Sequence, residues 1–162
     1  MTAVSGRTPA PVVDVAITSP LWEKQPLAEQ TVRAALAAVT AALATPPGEV
    51  CILLTDDTNI ARLNRDWRGV DKPTNVLSFL AAQPAGTPFL GDVAVAYETL
   101  QRECEAEGRV FLHHLAHLTV HGFLHLIGYD HQTDSDAEAM EGVESRIMLA
   151  LNMPDPWLTR DA

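Results

Sequence analysis

Hydrophobic and polar positions divide the chain into short segments with clear punctuation. Residues 12–17 (VVDVAI) alternate enough to predict a strand, closed by Ser19-Pro20. Residues 27–44, rich in Ala and Leu, predict a helix that starts near Pro26, where a missing N–H costs nothing, and stops at Pro46-Pro47-Gly48. The continuous apolar run VCILL at 50–54 predicts a strand buried on both faces. Asp56 is placed to cap a following helix with Ile60, Leu63 and Trp67 on its apolar side and Arg62 and Arg65 on its other surfaces. A loop over 69–74, a strand over 75–80 and a Pro- and Gly-containing surface loop over 81–88 come next, and Gly91-Asp92 leads into a strand over 93–96. Three helices complete the pattern: a charged one at 97–107 ended by Gly108, a mostly apolar one at 110–127 ended by Gly128, and one at 135–151 with Met140, Val143, Ile147, Met148 and Leu151 on one side. Strands mixed with helices through short links predict an α/β layered protein.

A length of 162 residues fits one domain, expected over 1–162 with residues 1–11 as a tail. Cys51 and Cys104 are far apart and form no C-x-x-C, which excludes a cysteine zinc ribbon and a disulfide framework. No apolar run is long enough to span a bilayer, and residues 1–11 have neither a basic start nor an apolar stretch. The expectation is a soluble, cytoplasmic protein. The formal charge of -10 argues against a nucleic-acid partner when averaged over the chain. Its distribution argues otherwise, because Arg62, Arg65, Arg68 and Lys72 cluster in one segment while acids dominate after Asp130. Those late acids are expected to form a solvated face.

All six histidines fall between 113 and 131. His113, His117, His121 and His125 recur every four residues and so form one stripe along an apolar helix. His121, His125 and His131 together read H-x-x-x-H-x-x-G-x-x-H. Three imidazoles with an open fourth position suit zinc or another divalent ion, which lowers the pKa of bound water to ~7. The competing reading, a core histidine cluster satisfied by backbone and water, is less economical for this spacing. His113, His114 and His117 are instead expected to be structural or to support the ligands. The spacing is similar to that of metzincin peptidases, with one departure: the general-base glutamate that follows the first histidine there is replaced by Gly122. Asp92 and Asp130 are candidate acceptors for ligand histidines, with Asp130 equally suited to serve the turn at Gly128, and Tyr129 either reaches the open side of the site or packs.

Arg68 beside Gly69 is the candidate phosphate-binding cation, since a guanidinium holds phosphate bidentately and stabilises developing charge. Trp67 and Phe79 offer a base-stacking platform or core packing, and core packing is preferred. The segments LNRDWRGVDKPTNVLSF (63–79), GDVAVA (91–96), HGFLHLIGYDH (121–131) and EAMEGVE (138–144), in this order, resemble the YbeY family of bacterial rRNA maturation factors. The resemblance implies a small mixed β-sheet covered by helices around a central metal-binding helix. It implies a zinc-dependent, single-strand-specific endoribonuclease acting in maturation of the small-subunit rRNA 3′ end and in ribosome quality control. The metal ligands are then His121, His125 and His131, and the catalytic arginine is Arg68. The implied partners are rRNA, a small-subunit ribosomal protein and an assembly GTPase, with no membrane or DNA partner. The alternatives are a zinc-stabilised assembly factor without enzymatic activity and, less favoured because of Gly122, a metallopeptidase-like hydrolase.

Overall fold

The structure, a computed structural model, describes residues 11–45, 48–80 and 89–158. The tail expected at the N-terminus (residues 1–10), the helix stop at Pro46-Pro47 and the loop over 81–88 lie outside the described residues. Strand β1 (Val12–Ile17) is followed by a single 3-10 turn, helix α1 (Ala28–Ala42), strand β2 (Glu49–Thr55) and helix α2 (Asp57–Arg68). Strands β3 (Val76–Leu80) and β4 (Phe89–Ala96) precede helices α3 (Tyr97–Glu107), α4 (Phe111–Leu126) and α5 (Asp134–Ala150). Pro26 precedes α1 rather than opening it, and Gly91-Asp92 lies inside β4 rather than leading into it. Among the described residues no helix is long and apolar enough to cross a membrane.

The sheet is mixed, in the order β1-β2-β4-β3, with β1, β2 and β4 parallel and β3 antiparallel at the edge. This is the α/β arrangement that the element pattern predicts, with the small mixed sheet that the family resemblance implies. Val50, Ile52 and Leu54 of β2, with Val93 and Val95 of β4, join α1, α4 and α5 in the main core, where Phe123 and Leu124 are fully buried. Each such side chain stabilises the fold by about 1.5–3 kcal/mol. The opposite sheet face carries a smaller cluster of Ile60, Leu77, Ala94 and Ala96 under α2. Because α2 covers only part of that face, Cys51 and Leu53 are half-buried, and β2 is fully buried on one face alone.

Asp56 caps α2 as expected, accepting a hydrogen bond from the Asn59 N–H at 2.9 Å. Asp57 accepts from the Thr99 hydroxyl at 2.7 Å, while Glu98 accepts from the Asp57 N–H at 2.8 Å, so the starts of α2 and α3 hold each other. At its other end α2 stops at Gly69, whose left-handed backbone (φ 72°) a side chain would strain. The buried Asn64 donates to the Lys72 carbonyl at 3.0 Å and ties the following loop to the helix. Trp67 does not pack in the core: it is 65% exposed, tilted against the Phe79 ring at 5.5 Å. Phe79 is half-buried against the smaller cluster, in line with the preferred reading for that residue.

A candidate metal centre at the end of the central helix

Helix α4 crosses the sheet because one residue has no side chain. A Cβ at Gly122 would sit 2.6 Å from Val93 Cγ1 and 3.0 Å from Ser78 Oγ, so helix and sheet meet at van der Waals distance only with glycine there. The Ser78 hydroxyl donates to the Gly122 carbonyl at 2.8 Å and fixes edge strand β3 to the helix. The same contact leaves no room for the glutamate that peptidases of similar spacing carry at this position.

One turn of helix separates His121 from His125, and the chain then reverses at Gly128 (φ 110°), with the Tyr129 N–H donated to the Leu124 carbonyl. This turn returns His131 to the same point. The ring centroids of His121 and His125 are 4.7 Å apart, of His125 and His131 5.0 Å, and of His121 and His131 5.8 Å. One ligand atom from each of the three lies within 4.8 Å of the others. They face a cleft of about 620 Å³ that Ser78, Tyr129 and Arg68 also line.

Hydrogen bonds fix the protons. His121 Nδ1–H donates to Glu144 Oε2 at 2.7 Å, and His125 Nδ1–H donates to the Tyr129 carbonyl at 3.1 Å. A carboxylate and a carbonyl only accept, so in the neutral form of each ring the Nε2 atom is bare. These two bare nitrogens face each other at 3.2 Å. Two lone pairs at that distance repel unless a cation lies between them. Nitrogens bound to one tetrahedral zinc at ~2.0–2.1 Å would lie about 3.3 Å apart, so the His121–His125 pair has the spacing of two such donors, with His131 within reach as a third. Burial, with His121 and His131 nearby, pushes the His125 pKa down and favours the neutral ring.

Glu144 corrects the expectation that the acids of the last helix form a solvated face. It is fully buried, and it accepts from His121, from His117 Nε2 at 2.7 Å and from the Trp157 indole at 2.9 Å. Burial alone would raise its pKa, but the hydrogen bonds from His117 and His121 outweigh that and hold it near about 2. His117 therefore shares Glu144 with His121, while His114 pairs with Glu103 at 2.8 Å. One signal for Glu144 is present in the sequence, since it falls on the apolar stripe of Met140, Val143, Ile147 and Met148 rather than on the opposite face.

The remaining candidates divide. Asp130 lines the cleft, yet its carboxylate accepts from the His131 backbone N–H at 2.7 Å, not from a ligand ring. Asp92 is not at the site at all, because strand register pairs it with Cys51 on the far sheet face, where burial raises both pKa values. Tyr129 lines the cleft with its ring partly buried against the main core, and its carbonyl serves His125. Arg68, the last residue of α2, reaches the cleft, and no ion pair among the described residues engages it. Arg62, Arg65 and Lys72 do not line the cleft, and Arg65 pairs with Asp66 at 3.3 Å.

Fold and site define an α/β protein whose central helix and following turn gather three histidines at the floor of an open cleft. The chain belongs to the YbeY family: the sequence model described as Endoribonuclease YbeY matches residues 18–152. Among similar proteins, the endoribonuclease YbeY of a Bradyrhizobium species is 48% identical over 164 residues, covering 96% of this chain and 97% of its own. That of a Rhodopseudomonas palustris strain is 48% identical over 159 residues, covering 93% and 92% respectively. A solution structure of a Thermotoga maritima protein shares the fold, with a TM-score of 0.55 at 21% identity over 91% of this chain and 100% of that one.

Proposed function

We propose that this protein is a metal-dependent endoribonuclease that cuts single-stranded RNA during rRNA maturation, with His121, His125 and His131 as the ligands of one zinc ion and Arg68 as its catalytic cation. The observation that carries the site is the pair of bare Nε2 atoms 3.2 Å apart, their tautomers set by Glu144 and the Tyr129 carbonyl. Family membership, with relatives named endoribonucleases, carries the reaction. A divalent ion held by three imidazoles supplies Lewis acidity toward a phosphoryl oxygen and toward water.

The chain's own residues do the rest. Arg68, at the end of α2, lines the same cleft as the histidines, and there binds the scissile phosphate and stabilises the charge that develops on it. Glu144 keeps the His121 proton on Nδ1, and the Tyr129 carbonyl does the same for His125. Gly122 excludes a peptidase-type base and brings β3 against α4 to form one wall of the cleft. The reading extends to a cytoplasmic setting and, by family resemblance, to a small-subunit ribosomal protein and an assembly GTPase as protein partners.

The test is cleavage of a single-stranded rRNA-precursor fragment by the purified protein beside an identically purified His125→Ala variant. Cleavage by the parent and none by the folded variant is the expected result. Equal cleavage by both would reveal a contaminating nuclease and leave a non-enzymatic assembly role in its place.

A further inference from the structure

Beyond the segment that the family model matches, 18–152, the chain continues to the buried carboxylate of Glu144. After α5 it turns through Asn152 (φ 61°), and Met153 N–H bonds back to the Met148 carbonyl at 3.0 Å. Pro154 and Pro156 then restrict the backbone. Asp155 Oδ1 accepts from the Ser145 hydroxyl at 2.7 Å and from the Trp157 N–H at 2.9 Å, and Arg109 donates to the Pro156 carbonyl at 3.3 Å. The segment is thus strapped to α5, one residue past Glu144, and to the start of the region leading into α4. What the strap delivers is an indole: Trp157 Nε1–H donates to Glu144 Oε1 at 2.9 Å, and its ring meets the His117 ring edge-on at 5.5 Å.

We infer that Trp157 is a positioning residue for the metal centre, acting through Glu144 on His121. Indole is a donor only, so its one polar atom has a single role here. Glu144 Oε1 receives two donors, Trp157 and His117, and Oε2 receives His121. With both oxygens engaged the carboxylate cannot rotate, and Oε2 stays on His121 Nδ1, which keeps Nε2 bare and aimed at its His125 counterpart. Without the indole N–H, one of the two restraints on Oε1 is gone and the His121 ring is held less firmly. Partners of this kind set both the orientation and the basicity of a ligating histidine.

The inference rests on the three-histidine reading proposed above, and its test separates the two. Zinc affinity is measured by competition with a chromogenic chelator for the parent, for Trp157→Phe, which keeps a ring but removes the N–H, and for Asp155→Ala, which loosens the strap. Both variants are expected to bind zinc about three- to tenfold more weakly, below the ~10–100-fold that loss of a ligand's own partner costs. Thermal unfolding of the metal-free proteins reports stability separately. In parallel, the indole N–H resonances are followed by NMR as zinc is added to the metal-free parent. Trp157 is expected to shift, and Trp22, whose indole donates to the Thr55 carbonyl at 2.8 Å, is not. Unchanged affinity in Trp157→Phe, or an unmoved Trp157 resonance in a parent that binds zinc, would overturn the inference. A parent that binds no zinc would overturn the three-histidine reading, and this one with it.

Discussion

Gly122→Ala sets helix propensity against packing at the point where α4 touches the sheet. In an exposed helix interior the change would stabilise by ~1 kcal/mol. Here the new Cβ would lie 2.6 Å from Val93 Cγ1, 3.0 Å from Ser78 Oγ and 3.3 Å from Val76 Cγ2. Carbon–carbon contacts settle at ~3.5–4.0 Å, so helix and sheet must part locally by about 1 Å. Val93 is fully buried and β-branched and has no spare rotamer to adopt. Parting by that much breaks the 2.8 Å bond from Ser78 to the Gly122 carbonyl, at about 1 kcal/mol, and overpacking adds ~1–3 kcal/mol. Net of the propensity gain, destabilisation is about 1–3 kcal/mol, or roughly 3–10 °C in Tm for a chain of this size. The three histidines move together on α4 and its turn, so zinc uptake survives. Arg68 belongs to α2 and does not follow, and RNA cleavage falls by about tenfold to a hundredfold, as a ~1 Å misplacement allows. Thermal unfolding, zinc titration and fragment cleavage on the same preparation give all three readouts. A variant at least as stable as the parent and cleaving at the parental rate would refute the argument, since it would show that α4 does not need glycine to meet the sheet.

Arg68→Ala should lower RNA turnover while zinc uptake and Tm stay parental; equal turnover would remove Arg68 from the mechanism. Glu144→Gln should weaken zinc binding by about 10–100-fold, because an amide nitrogen cannot accept from every donor now facing the carboxylate; parental affinity, measured by chelator competition, would contradict the assigned tautomers. Chelator treatment should strip the metal, abolish cleavage and lower Tm, with zinc restoring both, because an ion bound only by the folded state stabilises it. Burial pushes the Cys104 thiol up to about 11 and raises Cys51 as well. Alkylation near neutral pH should therefore be slow at both in the folded protein and fast in denaturant, as read by mass spectrometry of the labelled peptides.

The three-histidine group, the segment that carries Arg68 and most element boundaries are legible along the chain because they are local properties. A four-residue step on a helix places His121 and His125 on one face in any fold, and Gly128 three residues on announces the reversal that brings His131 back. Alternation, caps and prolines likewise locate the helices and most strands to within a residue or two, although β4 begins four residues before its expected start. Partners distant along the chain are a different matter. Asp92 sits beside Cys51, and not beside a histidine, because of the parallel register of β2 and β4, which no local pattern specifies. Trp67 has helical spacing from the apolar Ile60 and Leu63, yet it is largely exposed against the Phe79 ring of the edge strand rather than within the cluster those two join.

Sequence alone thus determined which side chains can gather around an ion, since that depends on helical period and one turn. Tertiary structure decided what holds them there. Glu144, His117 and Trp157 converge from α5, α4 and the C-terminal strap, and only the packing of α4 on α5 makes a buried carboxylate out of one acid among many. Gly122 shows the same division: in the chain it is a missing base, and in the fold it is the space that lets the helix reach the sheet.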